Sequence, residues 1–368
     1  MKIYTIIISL LLSGPFCFAQ SFNFNKGGTP AKNYYEEIPY ENNNGRLFVY
    51  AEIAGKKHKF LFDTGSPVTI SETLAAESNA ASFAKDLITD VNGSSDSLMI
   101  TDLKEIKIGR LVFNHIPALI LSSYLYQCWG IDGVIGSNLL RNSIVQINSK
   151  KQVIILTDQQ GKLSLNLKNA VPMITTNSRQ SEPVIQVKLN NKLDLQLQFD
   201  TGDKDFLRMS EELMDKLSRP DNYILLSKGY GASSIGGLGI QQKADKYLIK
   251  IPFLNIGRCR FDHVVSETQK NGIPGIGSKL LNYGMVTLDF IHSRFYFDAF
   301  RPVNDLNDKQ WPFQPTVSGD QLVVGVVWEK GINLVKYGEQ IIAVDGTPFQ
   351  TVNLCDLLNN NSNNYCQR

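Results

Sequence analysis

The sequence predicts a mainly β protein made of two tandem copies of one unit, and three observations carry that reading. Blocks of residues return in the same order. Phe60-Leu61-Phe62-Asp63-Thr64-Gly65 comes back as Leu197-Gln198-Phe199-Asp200-Thr201-Gly202, and Ile108-Gly109-Arg110 with Phe113 and His115 as Ile256-Gly257-Arg258 with Phe261 and His263. Gly133-Val134-Ile135-Gly136-Ser137-Asn138-Leu139-Leu140 then returns as Pro274-Gly275-Ile276-Gly277-Ser278-Lys279-Leu280-Leu281. The offsets are 137, 148 and 141 residues, so three blocks recur at nearly one spacing, which chance repetition of a single block does not produce. Between the blocks the residues alternate with the period of strands.

Taken in order, residues 1–19 read as a secretory signal: Lys2, an apolar run from Ile3 to Leu12, a break at Gly14-Pro15 and a Cys17-Phe18-Ala19 cleavage triplet. The run is too short for the ~30 Å of a bilayer core, and no later segment is long and apolar enough to span. A propeptide would have to lie within Ser21 to Tyr40. Leu47 to Ile53 alternates apolar and polar, Gly55-Lys56 turns, and Phe60 to Phe62 leads into Asp63-Thr64-Gly65, a hairpin that delivers an Asp to a loop. Val184 to Leu189, the turn at Asn190-Asn191 and Leu193 to Phe199 repeat it. Asn138 to Asn142 reads as a short helix, followed by strands at Ile144 to Asn148 and Val153 to Leu156. Met285 to Phe290 and Arg294 to Phe297 are their second copy.

The chain of 368 residues is long enough for two or three domains, and its 43% hydrophobic and 20% charged content is that of a globular protein. A net charge of +2 excludes a nucleic-acid grip based on bulk charge. Of five cysteines, Cys17 falls in the signal; Cys128, Cys259, Cys355 and Cys366 remain, without any C-x-x-C pair. Cys355 with Cys366, closing a short loop in the Asn-rich tail, is the preferred bridge, and Cys128 with Cys259 is left open.

Two copies of a hairpin, an Asp-Thr-Gly loop and a hydrophobic-hydrophobic-Gly element resemble the aspartic peptidases, specifically two short retropepsin-like units in tandem. The resemblance covers roughly residues 40 to 300 and implies lobes at 40–165 and 166–300 about a pseudo-twofold axis. It also implies that Asp63 and Asp200 are a catalytic pair, sharing one proton because two adjacent carboxyls do not both ionise readily. By the same resemblance, Thr64 and Thr201 tie the loops together, Gly65 and Gly202 let the backbone approach the pair, and Gly136 and Gly277 brace the loops from behind. The resemblance further implies that the residue after Asp-Thr-Gly is usually Ser or Thr, whose hydroxyl donates to the neighbouring carboxylate. Ser66 keeps that donor, whereas Asp203 replaces it with an acceptor, so Asp200 is expected to carry the shared proton. The alternative is that Asp203 faces solvent or caps a backbone N–H.

Covers over a bound peptide are sought at the turn around Gly93 and at Gly229 to Gly237, with Tyr230 as the closing ring; an ordinary flexible loop is the competing reading of each. His115 and His263 sit at equivalent places in a repeated strand and read as structural. After Phe300-Arg301-Pro302 the pattern changes, and residues 316–368 look like part of a PDZ domain, with Gly338 leading through Ile341-Ile342-Ala343-Val344 to Asp345-Gly346. The expectation is an exported, periplasmic or extracellular monomeric aspartic endopeptidase with polypeptide substrates, no cofactor, no metal, no nucleic-acid partner and no integral membrane segment. The reading from another class is a silent peptide-binding or scaffolding protein that keeps the fold.

Overall fold

A computed structural model of the chain describes residues 22–175, 179–217, 219, 221–319, 321–344, 347–348 and 354–359. The signal segment, Cys17, Cys366, the Asp345-Gly346 pair and residues 360–364 of the tail lie outside the described residues.

The mainly β class holds, and the repeat is visible in the strand pairing. In the first half, Arg46–Ile53 and Lys56–Asp63 form a hairpin closed at Ala54 and Gly55, both with positive φ. Lys56–Asp63 then lies parallel to Gly133–Gly136, so that Asp63 faces Gly136 in register, and Gly133–Gly136 runs antiparallel to Thr69–Ile70. In the second half, Val184–Leu189 and Leu193–Asp200 form the hairpin. Leu193–Asp200 lies parallel to Gly275–Gly277, with Asp200 opposite Gly277, and Gly275–Gly277 runs antiparallel to Leu207–Ser210.

Parallel neighbours need a long crossover, and each half supplies the same one. It contains a short helix, Glu72–Glu77 or Glu211–Lys216, whose N-terminus is capped by the hydroxyl of Ser71 or Ser210 three residues before the N–H it accepts from. Three antiparallel strands follow: Ser82–Thr89, Ser95–Ile108 and Leu111–Ile120 in one half, and Ile224–Gly231, Ala244–Ile256 and Cys259–Gln269 in the other. Gly109 (φ +59°) and Gly257 (φ +58°) make the equivalent tight turns. His115 and His263 pair with Asp102 and Asp305 at exposed, equivalent positions.

A shared antiparallel sheet joins the halves. Its order is Tyr35–Pro39, Val153–Thr157, Ile144–Asn148, Gly284–Asp289, Arg294–Ala299 and Ala170–Ile174. The central contact puts Gln146 of one half opposite Thr287 of the other, with a side-chain hydrogen bond of 3.0 Å. Ile144, Val145, Ile147, Val286, Leu288 and Phe295 on these strands are fully buried; each such side chain contributes about 1.5–3 kcal/mol relative to exposure. The described part of Ser21 to Tyr40 belongs to this body, since Phe24 is buried and Tyr35–Pro39 is an edge strand of the shared sheet.

The C-terminal segment adds strands to the second half. Phe313–Ser318 and Gln321–Trp328 form a hairpin, and Gln321–Trp328 pairs with Ile224–Gly231, setting Tyr230 opposite Val327. The helix Leu354–Asn359 then reaches the first half, where Cys355 is joined to Cys128 on the helix Tyr124–Trp129. Asn359 donates to the Cys128 carbonyl, and Arg46 donates to the Leu358 carbonyl. This overturns the expected Cys355–Cys366 bridge and the Cys128–Cys259 option: a chain that returns across both halves brings Cys355 beside Cys128, while Cys259 is a buried free thiol. The bridge closes a loop of 227 residues, so reduction is expected to cost about 2–5 kcal/mol. Peptide mapping without reduction should return a fragment that joins residues 128 and 355; a fragment joining 355 to 366 would reject this pairing.

Candidate active site

The two Asp-Thr-Gly loops meet, and each is held by the other. Thr64 N–H donates to Thr201 Oγ1 at 3.1 Å, and Thr201 N–H donates to Thr64 Oγ1 at 3.1 Å. Each hydroxyl passes its own proton across: Thr64 Oγ1 to the Phe199 carbonyl at 2.6 Å and Thr201 Oγ1 to the Phe62 carbonyl at 2.8 Å. Both threonines are fully buried, so these four bonds are unscreened by water and fix one loop relative to the other.

The lattice delivers the two carboxyls to one point. Asp63 Oδ1 accepts from Gly65 N–H at 2.8 Å, and Asp200 Oδ1 accepts from Gly202 N–H at 2.9 Å. The opposing carboxyl lies over each glycine: a Cβ on Gly65 would stand 2.6 Å from Asp200 Cγ, and one on Gly202 would stand 2.4 Å from Asp63 Oδ2. Neither glycine has a positive φ, so what the site requires there is space. Behind the loops, a Cβ on Gly136 would meet the Ser66 carbonyl at 2.3 Å, and one on Gly277 the Asp205 carbonyl at 2.2 Å. The residues after these glycines hold the loops directly, through Ser137 N–H to Ser66 O at 2.9 Å and Ser278 N–H to Asp203 O at 2.7 Å.

The fourth motif position departs from expectation in both halves. Ser66 Oγ donates to the Pro67 carbonyl and not to Asp63 or Asp200. Asp203 caps a backbone N–H, that of Asp205, through Oδ1 at 2.9 Å, as the alternative held, but its Oδ2 accepts from Arg208 Nη1 at 2.6 Å. Arg208 was not singled out from the sequence. It is 5% exposed and also donates from Nη2 to Asp200 Oδ2 at 3.2 Å and from Nε to the Ile273 carbonyl at 2.6 Å. The signal in the sequence is a charge inside the otherwise apolar run Phe206-Leu207-Arg208-Met209, five residues after Asp203.

Burial, then the charge of Asp200 and a hydrogen bond to it, push Asp63 well above the usual carboxylate range, against the opposing pull of Gly65 N–H and Arg208. The upward push falls on Asp63 and the guanidinium contact on Asp200, the opposite of the arrangement expected from Asp203. Burial and Asp205 push Asp203 up to about 6, although Arg208 pulls the other way. A carboxyl that holds its proton more tightly than usual, beside a second one contacted by a guanidinium, has what general acid–base chemistry on one bound water requires.

The walls flanking the pair differ. On the Asp63 side, Leu61, two residues back and therefore on the same face of its strand, packs with Phe48, Tyr126, Ile131 and Val134. On the Asp200 side the equivalent residue is Gln198, which accepts from Arg208 at 3.3 Å and donates to the Gly65 carbonyl at 3.4 Å. The two sought covers touch at their tips: Ser234 Oγ donates to Asn92 Oδ1 at 2.8 Å, and Leu238 N–H to Asp90 Oδ2 at 3.2 Å. Gly93 (φ +78°) turns the first tip against Asn271, while Tyr230 packs edge-on against Tyr337, ring centroids 6.3 Å apart.

No curated protein matches the chain. Among solved structures, basic 7S globulin from soybean is similar over 72% of this chain and 94% of its own, at 12% identity and a TM-score of 0.43. Residues 49–139, the stretch that carries Asp63, match the family model described as aspartyl protease.

Proposed function

We propose that the chain is an aspartic endopeptidase, and the observation that supports this most is the reciprocal threonine lattice that sets Asp63 against Asp200. A polypeptide is the substrate. Asp200 takes a proton from a water held between the carboxyls as its oxygen attacks the scissile carbonyl carbon, and Asp63 gives its proton to the carbonyl oxygen. In collapse of the tetrahedral intermediate, Asp200 passes the proton it gained to the amide nitrogen, one hydroxyl of the intermediate returns a proton to Asp63, and the C–N bond breaks. The turns bearing Gly93 and the stretch around Tyr230 are the proposed covers, and their tips must part to admit a chain.

Export to the periplasm or beyond is part of this reading. Residues 1–19 and the Cys128–Cys355 bridge support it, because such bridges persist in oxidising compartments. Among the described residues no helix is long and apolar enough to cross a membrane. The test is incubation of the protein with unfolded casein from acidic to neutral pH, with and without a statine-type inhibitor. Cleavage that the inhibitor stops is the expected result; inhibitor binding with no cleavage would overturn the enzyme reading in favour of a peptide-binding relic.

A further inference from the structure

The halves differ beside the dyad at four positions at once, and the four differences fit one another. Asp203 stands where the first half has Ser66, and Gln198 where it has Leu61. Arg208 stands where it has Thr69, since Arg208 pairs with Gly275 on the central strand as Thr69 pairs with Val134. Gly275, in place of Val134, makes the room: a Cβ there would already stand 3.1 Å from Arg208 Nη2. In the first half none of this charge is present, and Thr69 is bonded to the Tyr126 hydroxyl.

All three nitrogens of the guanidinium are engaged, on Ile273 O, on Asp203, and on Asp200 with Gln198. A planar fork held at every nitrogen has one orientation. It places a donor on Asp200 Oδ2, the oxygen left over after Oδ1 has accepted from Gly202. We infer that Arg208, held by Asp203, is a positioning residue that supplies Asp200 with a side-chain donor and fixes Asp200 as the carboxyl that receives the proton of water. The inference rests on the peptidase reading above. The other ionisable groups facing this cluster are Asp63, Asp205, Arg46, which faces Asp203 and Asp205, Lys279, which faces Asp205, and Tyr126, which faces Asp63. Among the described residues Arg208 is the cation bonded to the dyad, and Arg46 and Lys279 are not.

The test follows casein cleavage against pH for the parent, Arg208→Met, Arg208→Lys and the double variant Asp203→Ser/Arg208→Met. Alongside it, the dyad is titrated by carboxyl carbon NMR on Asp-labelled protein, with Asp63→Asn and Asp200→Asn assigning the signals. Arg208→Met is expected to lower turnover about a hundredfold. It should also move the acidic limb of the rate profile, and the matching NMR titration, up by about one pH unit or more, because the carboxylate loses its cation. Arg208→Lys keeps a charge without the fork and should move both less. The double variant restores a hydroxyl and removes the orphaned Asp203, so it should regain about tenfold over Arg208→Met. A folded Arg208→Met, or a folded Arg208→Lys should the first not fold, whose limb and titration stay in place would overturn the inference. A moved titration in a protein that never cleaves casein would uphold the role of Arg208 and reject the peptidase reading; cleavage with an unmoved titration would do the reverse.

Discussion

Asp63→Asn and Asp200→Asn are each expected to lower casein turnover by at least about a thousandfold, because the amide keeps the size and the acceptor oxygen but neither takes nor lends a proton. Their effects on stability should differ. Asp63 is half-buried against a second carboxyl, and desolvation and that neighbour's charge hold its proton to higher pH than usual. The folded state therefore keeps a proton that the unfolded chain has released, and stability falls as pH rises from the ordinary carboxylate range towards the raised value. Asp63→Asn removes that slope and leaves stability at low pH unchanged. Asp200→Asn takes an ionic partner from the buried Arg208 and should cost about 1–3 kcal/mol. Urea unfolding at several pH values checks both. Near-normal turnover in either variant, or equal stability losses in the two, would contradict the site as described.

Gly202→Ala and Gly65→Ala are expected to be almost as damaging to rate and far less so to the fold. The added methyl of Gly202→Ala would stand 2.4 Å from Asp63 Oδ2, and the carboxyl is already tied to Gly65 N–H, so it must give up that bond or move away from Asp200. Displacement of a reacting group by about 1 Å costs about a hundredfold in rate. Gly161→Ala is the control, since nothing lies within 4 Å of a Cβ there and its φ is not positive; it should be neutral for activity. Activity of Gly202→Ala within a few-fold of the parent would mean that the carboxyls are not held as tightly as the lattice implies.

What the sequence revealed and what it hid follow from how each feature is built. The dyad, the threonine lattice and the bracing glycines use residues within three positions of each Asp or at one repeated block, so their placement was legible from two short strings. Arg208 was not, because its partners come from three separated places: Asp203 on the loop, Gln198 on the preceding strand across the central one and Ile273 before the central strand. Only the sheet brings them together. The Cys128–Cys355 bridge was hidden for the same reason. The short tail loop favoured Cys366 as partner, whereas the tail in fact crosses both halves before its helix docks. Strand limits were read to within a residue or two where a turn residue marks them. That Gln321–Trp328 adds to the sheet of the second half was not legible, because an edge strand carries no mark of the chain it will pair with.

A guanidinium on one side only has a meaning in terms of symmetry. Two identical half-length chains assembled about a twofold axis would bring either no arginine to the centre or two. With none, the carboxyls are equivalent and the proton has no assigned place. With two, each carboxylate has its own cation, both stay ionised, and no acid is left to protonate the substrate carbonyl. Joining the halves in one chain lets Thr69 and Arg208 occupy matched positions with different side chains. The resulting centre has a fixed polarity, so under the proposed peptidase function a peptide laid across it meets the two carboxyls in one order along its direction from N to C.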